Sequence, residues 1–236
     1  MKKIIPLFLL LFNFSLFGQI LKNIPLNLNV GGRVFDVEYI PGMDAYIVVG
    51  NFTHINNVPK SKVALIDAQT FALKNNAPFN SISMPNAYEE VRSVEYTKVG
   101  SVNYLVLGGN FESNERIGMI LYTFNGNLTT SSTFIENNWN YWIMGYDGGQ
   151  GVHDLLFSND TLYVGGGIDG LDLVYGNSSG GPGTTAPGYS FFALKINPIH
   201  PSKFSLINNS LTNGVVYDAQ KSLYSIAKRG NDLFIA

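Results

Sequence analysis

VFDVEY (34–39), a turn, then AYIVVGNF (45–52) is the stretch that decides the fold, because the chain writes it again. VRSVEY (91–96) leads through a turn to NYLVLGGNF (103–111), and VHDLLF (152–157) leads to TLYVGGGI (161–168). A fourth pair, LYSIAK (223–228) and DLFIA (232–236), comes last. Gly50 and Gly109 are 59 positions apart, and Gly109 and Gly166 are 57 apart. Short apolar runs bounded by Gly, Asn, Asp and Pro are strand-and-turn language. Each copy continues with a third apolar segment, KVALIDA (62–68), GMILYTF (118–124) and FFALKIN (191–197). A weaker fourth lies near Phe79, Phe134 and Phe204. Four strands per unit at this period predict an all-β β-propeller of four-stranded antiparallel blades, since a solenoid rung of about 20–30 residues is half as long. One four-stranded sheet cannot cover both its faces, so neighbours must bury them.

The expected units are 31–88, 89–148, 149–215 and 216–236, about three and a half blades. Propellers close with about 4–8 blades. The expectation is therefore a fragment of a longer protein. No segment shows a helical period, so helix should be nearly absent.

Ahead of the repeats, Lys2 and Lys3 precede an apolar run over 4–17 and then Gly18. That is the layout of a secretory signal peptide, 1–18. A membrane anchor is the competing reading, but a spanning helix needs roughly 20 apolar residues and this run is shorter and holds Asn13. The expected localisation is secreted or cell surface, with no membrane span after cleavage, and the mature array is expected over 19–236.

Of the 236 residues, 14% are charged and the net charge is -2, against roughly 25% charged in typical domains. No basic patch is present to draw in nucleic acid. Cysteine is absent, which removes disulfides and thiolate metal sites and fits a core large enough to stand alone.

The apolar strand, the turn, the Gly-Asn-Phe element, the polar loop Asn-Asn-Val-Pro-Lys-Ser-Lys (56–62) and VALID (63–67) together resemble the delta-60-type or kelch-like propeller repeats of secreted bacterial proteins. The second unit lacks the Val-Pro element, and the third replaces the loop with a Gly-rich insertion. The leader ending in Phe-Gly-Gln is similar to those of the Bacteroidetes, in which such proteins often carry a C-terminal sorting domain. The resemblance implies architecture and says little about activity.

Aligned copies put Asp36, Ser93, Asp154 and Ser225 in one column of the first strand. They are either ligands around a central channel or members of a blade-to-blade hydrogen-bond network, because buried polar groups need partners. The adjoining column, Phe35, Arg92, His153 and Tyr224, varies in chemistry, so a site there would be local to one blade.

His54, His153 and His200 are scattered, with no close-spaced ligand pair for zinc. No Gly-x-Ser-x-Gly elbow exists. Gly165, Gly167 and Gly170 match a dinucleotide fingerprint, but the Gly- and Ser-rich residues 171–183 cannot hold the helix that the mechanism needs. No cofactor, metal or catalytic residue is assigned. Asp160-Thr161-Leu162 resembles the O-glycosylation motif of Bacteroidetes.

One grouping carries a site. The third unit's Gly-rich insertion (168–189) joins strands two and three, and the segment 137–150 connects the second unit to the third. Both open on one propeller face and should meet. Trp139, Tyr141, Trp142, Tyr146 and Asp147 from one, with Asp169, Asp172 and Tyr175 from the other, are the candidate ligand-binding residues. Aromatics among Asn and Asp suit stacking on sugar rings or gripping a peptide, or they simply cover the end of the blade core. The expected function is a binding module for extracellular glycan or protein. The alternative is a polysaccharide lyase or glycosidase, which needs two carboxylates about 5–10 Å apart; Asp36, Asp147 and Asp154 are its candidates.

Overall fold

The computed structural model describes residues 26–60, 62–74, 90–113, 116–126, 135–136, 141–144, 151–167, 170–173, 186–187, 191–198, 204–207 and 223–236. The leader and Phe79, Phe134 and His200 lie outside these residues. The described chain is all β, and its only helical element is a 3-10 turn, Pro41–Met43. No helix among the described residues is long and apolar enough to cross a membrane.

The first sheet has the order β1 (Val34–Ile40), β2 (Ala45–Gly50), β5 (Val63–Asp67), β6 (Leu73–Lys74), with the small hairpin β3 (His54–Ile55) and β4 (Val58–Pro59) inserted after β2. The second is built on β7 (Glu90–Val99), β8 (Val102–Ser113), β9 (Arg116–Asn125) and β10 (Ile135–Glu136), and β11 (Tyr141–Met144) comes after β10 in sequence. In the third, β12 (Val152–Ser158), β13 (Thr161–Gly166), β16 (Phe191–Ile196) and β17 (Phe204–Leu206) pair in that order. Its insertion contributes β14 (Gly170–Leu173) and β15 (Ala186–Pro187). The hairpin of β18 (Ile226–Arg229) and β19 (Asp232–Ile235) comes last. Neighbouring strands within these four sheets are antiparallel except for β11 beside β9.

Turn chemistry explains the hairpins. Two-residue loops between strands need positive φ, and Gly100-Ser101, Asn159-Asp160 and Gly230-Asn231 supply it at φ 61°, 57° and 61° for their first residues. Asn56 and Asn57, at φ 52° and 64°, do the same for β3–β4. The polar loop expected there is therefore a hairpin of its own, whose Ile55 is fully buried against the first sheet.

Successive sheets stack face to face. One cluster joins Ile47, Val49 and Leu65 of the first sheet to Val94, Leu105 and Leu107 of the second. The next joins Tyr104, Val106 and Leu121 on the other face of the second to Leu155, Val164 and Phe192 of the third. Phe191 of the third then meets Leu223 and Ile226 of the fourth. Both faces of the second and third sheets are thus buried, which is why their strands read as apolar runs rather than as clean alternation. Full burial of each such Leu or Val contributes about 1.5–3 kcal/mol. The sheets do not close on themselves.

The second sheet departs from the four-strand expectation. Beyond β9 it continues through β11, β14 and β15, with β11 parallel to β9 and antiparallel to β14. The insertion of the third unit therefore extends its neighbour's sheet.

Glycines mark where backbones come closest. A Cβ on Gly50 would collide with the Arg33 carbonyl oxygen, one on Gly109 with that of Glu90, and one on Gly166 with that of Gly151. In all three the obstacle is backbone and cannot swing aside. Gly166→Ala is expected to lose about 1–3 kcal/mol, the usual effect of overpacking, read as a lower urea midpoint at an unchanged m-value.

Candidate functional site

The first strands of the first three sheets, β1, β7 and β12, share one irregularity. Register shifts between Val34 and Asp36, between Val91 and Ser93, and between Val152 and Asp154, opposite Gly50, Gly109 and Gly166. A bulge leaves one residue out of the ladder and re-aims its neighbours. Here it turns the Asp/Ser column toward the next sheet. Asp36 Oδ2 accepts from the Val94 N–H at 2.9 Å, Ser93 Oγ from the Leu155 N–H at 3.1 Å, and Asp154 Oδ2 from the Ile226 N–H at 2.6 Å. Ser93 Oγ also donates to Asp36 Oδ2 at 3.1 Å. Between the two readings of this column, the geometry selects the sheet-to-sheet network. Asp36 and Asp154 commit their carboxylates to backbone amides.

Two residues further along, Glu95 repeats the device by accepting from the Phe157 N–H at 3.0 Å. Burial, then the carboxylates of Glu38, Asp36 and Asp154, push Glu95 up to about 8. Burial and then Asp36 push Glu38 up to about 7. Asp154 is also raised, burial being the main cause.

The bulged residues form a second row. Arg92 is bound by Glu90 (Nε to Oε1, 2.6 Å) and its Nη1 lies 3.0 Å from both ring nitrogens of His153. The His153 ring meets Tyr224 edge-on at 4.7 Å between centroids. Burial, followed by the positive Arg92, lowers His153 to about 4, so it is neutral at pH 7. The variable chemistry of this column hid the fact that Arg92, His153 and Tyr224 touch across three sheets. The constant spacing of the column was the signal that could have found them. Phe35, in the same column, is 39% exposed.

At the same end of the sheets lie the two unusual segments. Glu90 pairs with Asn110 of β8, and the β8–β9 hairpin runs on from there to Ser113 and Arg116. On β9, Ile117 pairs with Trp142, and Trp142 in turn stands opposite Asp172, with Tyr141 opposite Leu173 and Met144 opposite Gly170. The backbones of the two segments are therefore joined as adjacent strands. Trp139, Tyr146, Asp147, Asp169 and Tyr175 lie outside the described residues. Gly165 sits within β13 and Gly170 opens β14, so strands occupy the place where a dinucleotide fingerprint would need a helix. Among the described residues no group of three or more His, Cys, Asp or Glu could hold a metal ion.

No known family, curated protein or solved structure matches the chain.

Two outcomes test this geometry. Asp154→Ala strips the Ile226 amide of its acceptor, so stability falls by about 1–3 kcal/mol and hydrogen exchange at Ile226 accelerates ahead of the rest of β18. Raised carboxyl pKa values contribute stability that is full below the unfolded value and is lost as pH rises through the folded one. Thermal midpoints should therefore fall between about pH 5 and pH 8, and Glu95→Gln should flatten that fall. His153 acts in the opposite sense, since its depressed pKa removes stability as pH drops from 6.5 toward 4. A wild-type midpoint that climbs from pH 6.5 to pH 8 would contradict the carboxyl assignment.

Proposed function

We propose that the chain is a set of blades from a secreted or cell-surface β-propeller of the delta-60 or kelch-like kind, and that it binds extracellular glycan on one face. Support for the architecture comes from sheets that succeed one another along the chain, stack face to face and repeat one inner-strand bulge and one cross-sheet hydrogen bond. The leader layout at 1–18 supports export.

The observation that carries the binding reading is the pairing of β11 with β14, which makes Trp142 and Asp172 opposing positions. Sugar rings present apolar C–H faces that suit an indole, and hydroxyls that donate to a carboxylate. In this reading Trp142 stacks on the ring and Asp172 takes its hydroxyls, with Tyr141, Trp139, Tyr146, Asp147, Asp169 and Tyr175 completing the surface. A protein ligand would use the same aromatics as anchors.

The polysaccharide-cleaving reading loses two of its candidate carboxylates, Asp36 and Asp154, to backbone amides. What favours it is the half-buried pair Glu38 and Glu95, whose raised pKa values would suit proton transfer near neutral pH.

A glycan array separates the two. The expected result is retention of one glycan class, about tenfold or more weaker for Trp142→Ala, with Asp172→Asn weaker as well and no product released. Loss of about 1.4 kcal/mol corresponds to that tenfold change. Release of oligosaccharides, abolished by Glu95→Gln, would establish the enzyme instead. Binding untouched by Trp142→Ala would sink the β11–β14 site.

A further inference from the structure

His153, on the third sheet, has neighbours from the sheets on either side of it, and the way they hold its ring leaves chemistry to spare. Arg92 Nη1 lies 3.0 Å from both ring nitrogens. In the plane of the imidazole any point that close to both would overlap a ring carbon. The guanidinium therefore lies over the face of the ring, the stacking that arginine favours. Tyr224 meets the same ring at 4.7 Å between centroids and 70° between planes. Stacking from Arg92 leaves the in-plane hydrogen-bonding positions of both nitrogens, and among the described residues no other hydrogen bond reaches them. The ring is half-buried, so a ligand can still reach its edge.

Charge decides what that edge can hold. His153 is neutral at pH 7, so one nitrogen donates and the other accepts. A hydroxyl does both, and two neighbouring sugar hydroxyls satisfy both nitrogens. A carboxylate only accepts, and it would face the lone pair of the unprotonated nitrogen. Protonating that nitrogen is opposed by burial and by the guanidinium stacked on it. Arg92 is no lone cation either. Glu90 Oε1 accepts from its Nε at 2.6 Å and also pairs with its Nη2, so the couple carries no net charge. The adjoining column adds the carboxyl groups of Asp36 and Asp154. An uncharged polyol suits this setting and an anion does not.

The row also has a defined place beside the β11–β14 platform. Glu90 of β7 pairs with Asn110 of β8, Glu112 of β8 with Ile117 of β9, and Ile117 with Trp142 of β11. Trp142 is thus three strand spacings from β7, about 14 Å. A single sugar ring does not span that gap, whereas an oligosaccharide does. We infer that Arg92, His153 and Tyr224 form a second subsite on the same face, at which the imidazole edge binds hydroxyls of an uncharged oligosaccharide that runs on to Trp142. This rests on the glycan reading of the platform and adds to it the charge and the minimum length of the ligand.

Titration calorimetry of the intact chain tests it, with neutral gluco-, manno- and xylo-oligosaccharides of increasing length and with alginate and polygalacturonate oligosaccharides as the acidic set. A neutral series should bind, the acidic set about tenfold or more weakly by comparison, and affinity should step up at the length that reaches both subsites. His153→Phe keeps a flat ring under Arg92 and removes both nitrogens. Its thermal midpoint at pH 7 should stay where it is, while the long neutral oligosaccharides bind about tenfold more weakly. The ring nitrogen-15 resonances of His153 in the wild type should shift on binding, a readout that needs no variant to fold. Long oligosaccharides held as tightly by His153→Phe as by the wild type, yet still weakened by Trp142→Ala, would overturn this subsite and leave the platform standing. Preference for the acidic set, or His153 resonances that stay fixed while ligand binds, would overturn it too. Binding of neither set would remove the glycan reading and this inference together.

Discussion

The hydrogen bond from a backbone amide at the start of one sheet to a side chain of the sheet before it is the constraint on which the stack depends. Apolar burial supplies most of the stabilisation, but it is non-directional and roughly proportional to area. Two apolar faces could slide or rotate against each other with little loss. The bonds from Val94 to Asp36, from Leu155 to Ser93 and from Ile226 to Asp154 remove that freedom. They set which strand faces which, and at what height. A bulge precedes the Asp or Ser in each of the three sheets and sets which face of its strand that residue takes. The glycines opposite the bulges are needed in turn, because a Cβ there would strike backbone. Asp, Ser and Gly are small, and small residues let the backbones approach closely enough for a direct bond.

This arrangement concentrates acid where charge is unfavourable. Asp36, Glu38, Glu95 and Asp154 come from three different strands, β1, β7 and β12, and feel one another. Few charged residues occur in the chain as a whole, so this row of carboxyls is an exception that calls for a reason. Accepting from amides offsets part of the desolvation for Asp36, Asp154 and Glu95, since charge-assisted bonds are the stronger kind. Glu95 and Glu38 nevertheless keep their protons to about pH 8 and about pH 7, because a half-buried carboxyl beside carboxylates is more stable neutral.

How much of this could be read from the residues depends on the range of the interaction. The strand positions were legible because β-branched and aromatic runs alternate with Gly and Asn turns within a few residues of one another. The Asp36, Ser93 and Asp154 column was legible because the repeat places equivalent residues at equivalent sites. Its role stayed open between channel ligand and network, since only the bulge decides where those side chains aim. The hairpin at Asn56-Asn57 was written in the sequence as two residues that tolerate positive φ, yet it looked like a loop because its strands are two residues each. The extension of the second sheet by β11, β14 and β15 was not legible. It joins segments that belong to different units, and no local period announces it. The contact of Arg92 with His153 was missed for a related reason: chemistry that changes along a column looks like the absence of a pattern.

The candidate site inherits its order from the stack. Met144 through Tyr141 can pair with Gly170 through Leu173 only if the second and third sheets are held at a fixed offset, because one segment leaves the second sheet and the other leaves the third. That offset is set between β7 and β12 by Ser93 and Leu155, and by Arg92 and His153 beside them. Ligand-binding segments with few contacts of their own are drawn from the less stable part of a fold, so their geometry is imposed by the nearest rigid element. Here that element is the pair of sheets bridged by Ser93. Weakening the bridge should therefore loosen the β11–β14 platform before it unfolds either sheet. A surface assembled in this way is specified by the spacing of two units more than by any residue within it.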